Sequence, residues 1–250
     1  MKNIIALLIG LVNFLYAQNL PDWFYLPPNH QDYFFGVGIS EKYAAQEDAY
    51  ANARLDAVHY ISHQVELKII SGLADVSSGS KGLAREYINE QVDPQLSNQI
   101  SKNIVALDSI IINNEAFMLI VISKNLSPPN SNYFNYAYRE SNQQKNTPTP
   151  KWIRQPPRKN GYIYGVGLGS RHKSTKSTWN NSAQNARLEI AQQKQSKIES
   201  LYLNRTLTYT QDIEWIEQKT NIILKNSRLI ERWYDMRTDI YYTLVEHQIR

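Results

Sequence analysis

A short pattern occurs twice in this chain of 250 residues, and the two copies lie 129 positions apart. The first copy consists of Pro21, Trp23, Pro27, Pro28, Tyr33, Gly36, Val37 and Gly38, and the second of Pro150, Trp152, Pro156, Pro157, Tyr162, Gly165, Val166 and Gly167. After a four-residue insertion, residues 52–55 match residues 185–188, and residues 117–121 match residues 241–245. Self-similarity at a fixed spacing indicates repeated structural units. We therefore predict two tandem copies of one small module.

The repeat also sets the predicted domain boundaries. The modules occupy residues 18–126 and 150–250, and residues 127–149 between them are rich in Pro, Asn and Gln, which is typical of a linker. Before the first module, Lys2 precedes an apolar run over residues 4–16 that ends at Ala17, the pattern of a signal peptide. The run is shorter than the roughly 20 apolar residues that span a membrane. We expect an exported protein with no transmembrane helix in the mature chain.

Each module is predicted to begin with a strand that packs against a long helix. The strands, 33–39 and 162–168, are apolar on both faces, which favours a central position in a sheet. The helices cover residues 44–70 and 178–203. Alanine recurs every fourth residue from Ala45 to Ala57, and such a stripe lets a helix approach a sheet closely. At six positions we expect the close approach of helix and strand to require a small residue, namely Gly36, Gly38, Ala53, Gly165, Gly167 and Ala186.

The remainder of each module is predicted to close the sheet. In the first module a second helix covers residues 83–102, and a hairpin of residues 105–112 and 116–123 turns at two asparagines, which tolerate left-handed conformations. The second hairpin covers residues 228–234 and 239–248. This order predicts an α+β fold with a short antiparallel or mixed sheet on a long helix. Trp23 and Trp152, present in both copies, are predicted to pin each entry segment to its own sheet.

Composition limits the chemistry of the chain and divides its charge. There is no cysteine, which excludes disulfides, thiolate metal sites and a lipid anchor on an amino-terminal cysteine. Residues 18–140 contain 8 Lys/Arg and 14 Asp/Glu, while residues 141–250 contain 18 and 9, so the halves carry −6 and +9. The charge asymmetry has two explanations. Either the charges of solvent-exposed residues have drifted without a function, or they serve electrostatic docking. Docking could join the two halves of one chain, join chains head to tail, or hold the protein on an anionic surface.

Patterns that would indicate a cofactor site or an enzyme are weak. The sequence Gly36-Val37-Gly38 lacks the third glycine of a dinucleotide fingerprint, and neither copy has a phosphate-binding Gly-Lys-Ser/Thr. No serine lies in a nucleophile elbow, and paired acids at a defined spacing are absent. We expect no cofactor and no catalytic site. Residues of both copies that meet in one deep polar cleft would favour an enzyme.

Three residues of the first long helix have the spacing of a metal site. Asp56, His59 and His63 would share one helix face. The second copy, aligned with the four-residue insertion, has non-matching residues at these positions, namely Glu189, Gln192 and Ser196. We therefore predict that no metal binds here.

Aromatic residues mark a candidate binding surface in the second copy. Trp179, Trp215 and Trp233 occur in the basic copy alone, and tryptophan is enriched at interfaces because it combines an apolar body with a polar N–H group. The basic residues are spread along this half, so we do not expect nucleic acid as a partner.

The repeated pattern of Pro-x-Trp, a Pro-rich turn and a strand ending in Gly-Val-Gly resembles the LPP20 lipoprotein family of bacterial envelopes. The closing residues 241–245 (Tyr-Tyr-Thr-Leu-Val) look like that family's ending. A similar domain begins a flagellar assembly protein, where it is an interaction module. The resemblance implies a periplasmic or surface protein that acts through contacts with other envelope proteins or with itself. The alternative is binding of cell-wall polysaccharide through the second copy's tryptophans, and an enzyme is the third hypothesis.

Overall fold

The computed structural model describes residues 20–76, 83–130, 148–203 and 220–249. The predicted signal peptide, most of the predicted linker and Trp215 lie outside these ranges. The first half, residues 20–130, contains α1 (Asp22–Tyr25), β1 (Tyr33–Ile39), α2 (Gln46–Val65), β2 (Glu66–Val76), β3 (Leu83–Gln91), α3 (Pro94–Asn103), β4 (Val105–Ile112) and β5 (Glu115–Ser123). The second half, residues 148–249, contains a 3₁₀ helix (Lys151–Ile153), β6 (Tyr162–Ser170), α4 (Thr175–Leu203), β7 (Thr220–Lys225), β8 (Ser227–Asp235) and β9 (Ile240–Gln248).

The strands form three antiparallel sheets of three strands each. The first sheet has the order β1-β5-β4 and the second the order β6-β9-β8. The third sheet, β3-β2-β7, takes two strands from the first half and one from the second. With four helices on these sheets the fold is α+β, as predicted. Helix α2 packs on the first sheet and α4 on the second.

Glycine lets each helix lie directly on its sheet. A Cβ on Gly38 would strike the backbone and the methyl group of Ala57, and a Cβ on Gly167 would strike Ala186 in the same way. Both alanines are fully buried. Neither glycine has a positive φ. Glycine is therefore needed here because it leaves room for the helix, and not because of its backbone freedom. Gly36, Gly38, Gly165 and Gly167 thus all lie where a side chain would strike the helix.

The two halves correspond more simply than the sequence suggested. Gly36 faces Ile61, and Gly165 faces Ile190, so strand and helix in both halves keep the same offset of 129 residues. The predicted four-residue insertion before the helix is wrong. The Asn-Ala-Arg-Leu segments, residues 52–55 and 185–188, therefore lie one helical turn apart in the two helices. The sequence alignment paired them because a shift of four residues preserves the buried face of a helix.

The first strand of each half lies at a sheet edge, which corrects the predicted central position. Among the described strands, only β5 pairs with β1, and only β9 pairs with β6. Strand β1 is apolar on both sides because α2 covers one face, while α1 and aromatic residues of the second half cover the other. Covering by other elements therefore produced the pattern that indicated a central strand.

Residues 66–91 differ most from the prediction. Helix α2 ends at Val65, and residues 66–70, predicted as helix, begin β2. Leu67 and Ile69 are fully buried and alternate with polar neighbours, a period of two that indicates a strand. Residues 83–91, also predicted as helix, form β3 and pair with β2. Helix α3 begins only after Asp93, whose carboxylate accepts from the Gln95 N–H at 2.8 Å.

Both closing hairpins are confirmed. The first turns at Asn113 and Asn114, with φ of 52° and 66°, the left-handed values that asparagine tolerates. The second joins β8 and β9. Each hairpin also has a bulge at the same place, between Ala106 and Asp108 in β4 and between Leu229 and Glu231 in β8.

Adding a methyl group at the helix–strand contact should destabilise either half. We expect Gly38→Ala and Gly167→Ala each to lower the free energy of unfolding by at least about 1–3 kcal/mol, because the helix must move away from its strand. Chemical denaturation followed by circular dichroism measures this. Ser170→Ala, at the exposed end of β6, is the control and should change stability little. Equal midpoints for all three variants would contradict the packing described.

Candidate functional site

The junction between the two halves is built around buried aromatic rings. Trp179 of α4 is 2% exposed and contacts Phe24 and Tyr25 of the first half edge to face, with ring centroids 5.6 and 6.4 Å apart. It also contacts Tyr241, at 4.9 Å. Trp179 was predicted to lie on a binding surface for an external partner. The structure corrects this, because the first half itself occupies that surface.

A buried arginine joins the same cluster. Arg232 of β8 is 3% exposed and donates a hydrogen bond of 2.7 Å to the carbonyl oxygen of Phe24. Its guanidinium lies over the rings of Phe24, Tyr60 and Trp179, at 4.6, 5.8 and 5.9 Å from their centroids. Among the described residues no carboxylate forms a salt bridge with it. Burial lowers the pKa of Arg232, while Tyr60 and Asp56 partly offset that effect. Aromatic faces therefore take the place of a counter-ion.

Acidic residues of the first half bind donors of the second half along the junction. The contacts join Glu41 to Ser174, Asp56 to Lys176 and Asn180, Glu66 to Lys225, Glu90 to Arg187, and Glu115 to Thr175. Three of these contacts are ion pairs. The opposite net charges of the halves thus meet within one chain, which supports the electrostatic docking of one half on the other.

The pair of Arg187 and Glu90 is the most enclosed of these contacts. Each side chain is 9% exposed, and two hydrogen bonds of 2.7 Å join them. Burial lowers the pKa of the Arg187 guanidinium, but the charge and hydrogen bonds of Glu90, together with Tyr60, raise it more, so the net shift is upward. A bidentate pair of this kind fixes the relative orientation of the two side chains as well as their distance.

A polar cleft of about 400 Å³ lies beside this pair and is lined by both halves. Three of the five histidines face it, namely His59, His63 and His172. The Nε2 atoms of His59 and His63 are 3.1 Å apart, and the Asn181 amide nitrogen is 2.6 Å from Nε2 of His172. Sequence reasoning missed His172 because only docking of the halves brings it to the helix that carries the other two.

Burial in the cleft disfavours the charged form of two of these histidines. Burial, together with the nearby charge of Arg187, brings the pKa of His63 well below its ordinary value. Burial also lowers the pKa of His59. A neutral imidazole can accept a proton or donate a nitrogen lone pair to a metal ion. Residues of both halves thus line one polar cleft, and most of its polar groups are paired with one another.

A contact between a histidine and a hydroxyl group lies away from the cleft. Nδ1 of His247 is 3.2 Å from Oγ of Ser227, and both residues are 3% exposed. Burial lowers the pKa of His247 to about 4. No acid of the described residues pairs with this histidine, so the pair reads as part of the buried core.

The outer faces of the two sheets, opposite their helices, differ in how they are covered. In the first sheet Ile39, Phe117 and Ile110 form a row of directly paired residues. Phe24 lies on Phe117, with ring centroids 5.4 Å apart, and Trp179 belongs to the same buried cluster. As a result Ile39 and Phe117 are at most 2% exposed.

The matching row of the second sheet has no such cover among the described residues. Leu168, Tyr242 and Trp233 are directly paired across β6, β9 and β8, and we call them the outer row. Leu168 is 49% exposed, and the two aromatic residues are half-buried. Their rings lie 5.7 Å apart. Trp233, predicted as part of a binding surface, thus lies on the least covered face of either sheet.

The two repeated tryptophans occupy matching places beside the bulges. Trp23 is buried, and its indole N–H donates to the Asp108 carboxylate at 2.8 Å. Trp152 is also buried, and its indole N–H faces Glu231 without meeting full hydrogen-bond geometry. Burial raises the pKa of Glu231, and the Trp152 indole partly offsets this. Both contacts join an entry segment to the sheet of the same half, as predicted.

Comparison with known protein families bears on the second half. Residues 150–248 match the family model described as LPP20 lipoprotein. The resemblance to that family is confirmed over this range. The matched residues span β6, α4, β7, β8 and β9, and so include the outer row and Trp152. No curated protein and no solved structure matches the chain.

The LPP20 match suggests an envelope location. In the described part of the chain no helix has both the length and the apolar character needed to span a membrane.

Removing one partner of the buried ion pair should cost far more stability than removing both. We expect Arg187→Met to lower the free energy of unfolding by about 3–5 kcal/mol, because it leaves Glu90 buried and uncompensated. The double variant Arg187→Met/Glu90→Met should recover most of the loss. Denaturant titration of the two single variants and the double variant gives the coupling. Additive losses would contradict a buried, coupled pair.

Proposed function

We propose that this chain is an exported, non-catalytic envelope protein that binds another envelope protein through the outer row of its second sheet. The observation that carries the proposal is the difference between matching faces. In the first sheet the face is buried under aromatic side chains of the same chain, whereas in the second sheet it remains partly exposed. The LPP20 match of the second half supports the envelope setting.

We further propose that the first half is a second copy of the module that matches the LPP20 model. The two sheets have the same strand order, and their hairpins share the position of the bulge. At the same helix position, Asp56 accepts from the N–H of Ile39, and Asn185 donates to the carbonyl of Leu168. Both pairs keep the offset of 129 residues that joins the glycines. On this proposal the first module supports the second, whose outer row stays available to a partner.

The chemistry of the outer row suits a protein partner. A row of one aliphatic and two aromatic side chains offers the anchors that dominate protein interfaces. Met236, 39% exposed in the turn that follows β8, adds a further apolar side chain near one end of that strand. The second half has an excess of basic residues, so a partner with an acidic face is favoured.

Site-specific photo-crosslinking tests this proposal. A photo-crosslinking residue at position 168 should capture a specific envelope protein in intact cells, and Trp233→Ala should reduce the capture at least about tenfold, as expected for an aromatic anchor. The control position is Leu55, which is 62% exposed on α2 of the first half. Crosslinks of equal yield from positions 168 and 55, or capture unchanged in Trp233→Ala, would contradict a binding role for the outer row. Capture of a second copy of the chain would identify the partner as self.

Binding of cell-wall polysaccharide is the second candidate. The tilted pair of Trp233 and Tyr242, with their rings 5.7 Å apart on a partly exposed sheet face, favours it, because sugars pack on aromatic rings. Sedimentation with purified wall material distinguishes the two functions. Under this alternative the protein co-sediments and Trp233→Ala does not, whereas a protein-binding role leaves both variants in the supernatant.

A further inference from the structure

Two histidine nitrogens in the cleft point at one another from the same helix. His59 and His63 are four residues apart on α2, and their Nε2 atoms are 3.1 Å apart. Two nitrogen ligands at about 2.0–2.1 Å from a tetrahedral ion would be separated by roughly 3.3 Å. The observed spacing is therefore close to that of two ligands of one metal ion. His59 is exposed, so an ion can reach the pair from solvent.

The surroundings of His63 orient its ring for this role. Its Nδ1 atom lies 3.9 Å from Oε2 of Glu90, whose carboxylate is held in place by Arg187. A carboxylate on this side favours a proton on Nδ1 and leaves the Nε2 lone pair directed at His59. Metal-binding histidines are commonly oriented by such an outer carboxylate.

The charges around the pair decide which ions fit. The two nearest carboxylates are already engaged, Asp56 by Lys176 and Asn180, and Glu90 by Arg187. The guanidiniums of Arg187 and Arg232 also line the cleft and balance these two carboxylates. Oxygen-seeking ions such as Ca²⁺ and Mg²⁺ find no free carboxylate there. Neutral imidazoles suit Zn²⁺, Ni²⁺ and Cu²⁺.

We propose that His59 and His63 form a two-histidine site for a late first-row divalent metal ion at the junction of the halves. Within the described part of the chain no group of three or more His, Cys, Asp or Glu side chains converges to hold an ion. Solvent therefore completes the coordination shell. The site is independent of the outer row, and the sequence comparison with the second copy did not predict it.

Isothermal titration with ZnCl₂, NiCl₂ or CuCl₂ on the full mature chain, with any affinity tag removed, tests the proposal. One ion should bind per chain, and His59→Gln and His63→Gln should each weaken binding at least about tenfold, since loss of even an outer-shell partner costs 10- to 100-fold. The control is His30→Gln, an exposed histidine of the first half that lies outside this cleft.

The variants also have controls for folding and ion type. His59 is exposed, so circular dichroism of His59→Gln should match that of the unaltered chain. Mg²⁺ and Ca²⁺ should give no heat of binding. The proposal is overturned if no transition-metal ion binds the unaltered chain, if both cleft variants bind as tightly as it does, or if His30→Gln removes the binding.

Discussion

The outer face of the first sheet is the constraint on which the rest of the structure depends. Ile39, Phe117 and their neighbours form an apolar surface that is stable only when water is excluded from it. The chain covers this surface with α1 and with Trp179 from the second half. Because Trp179 lies on α4 and Arg232 on β8, covering the face fixes how the whole second half lies against the first.

The ion pairs and hydrogen bonds between the two halves follow from that placement. Once α4 lies on the first half, its polar early turns face α2, and the acids of the first half meet lysine, arginine and hydroxyl donors of the second. The ion pair of Arg187 and Glu90 is enclosed, so its orientation is fixed, and the space left beside it becomes the polar cleft. The same docking leaves the outer row of the second sheet partly exposed. The cleft and the outer row are therefore two consequences of one contact.

Much of the fold was visible in the sequence because it depends on local pattern. Both hairpins, the glycine positions and the long helices follow from turn chemistry, packing clearance and period, which are properties of short segments. Residues 83–91 were predicted as helix because their strand state depends on pairing with β2, a partner outside any local window. The offset of the repeat was misplaced by one helical turn, since such a shift leaves the buried face unchanged.

The sites were predicted less well than the fold. Trp179 and Trp233 were both predicted to lie on a binding surface, but Trp179 is buried. Tryptophan composition does not distinguish an internal interface from an external one. His172 joins the cleft only after the halves dock. The charge asymmetry was the one sequence signal that pointed to this docking, and it could not specify which acid meets which base.

Hydroxyl-radical footprinting of the mature chain, read out by mass spectrometry, tests the central claim most directly. It compares residues of equal intrinsic reactivity in the covered and uncovered faces, Trp179 with Trp233 and Tyr25 with Tyr242. The structure predicts that Trp233 and Tyr242 are oxidised markedly faster than Trp179 and Tyr25, which are each 2% exposed. Equal oxidation of Trp179 and Trp233 would show that the second half does not cover the first sheet, and would contradict the account.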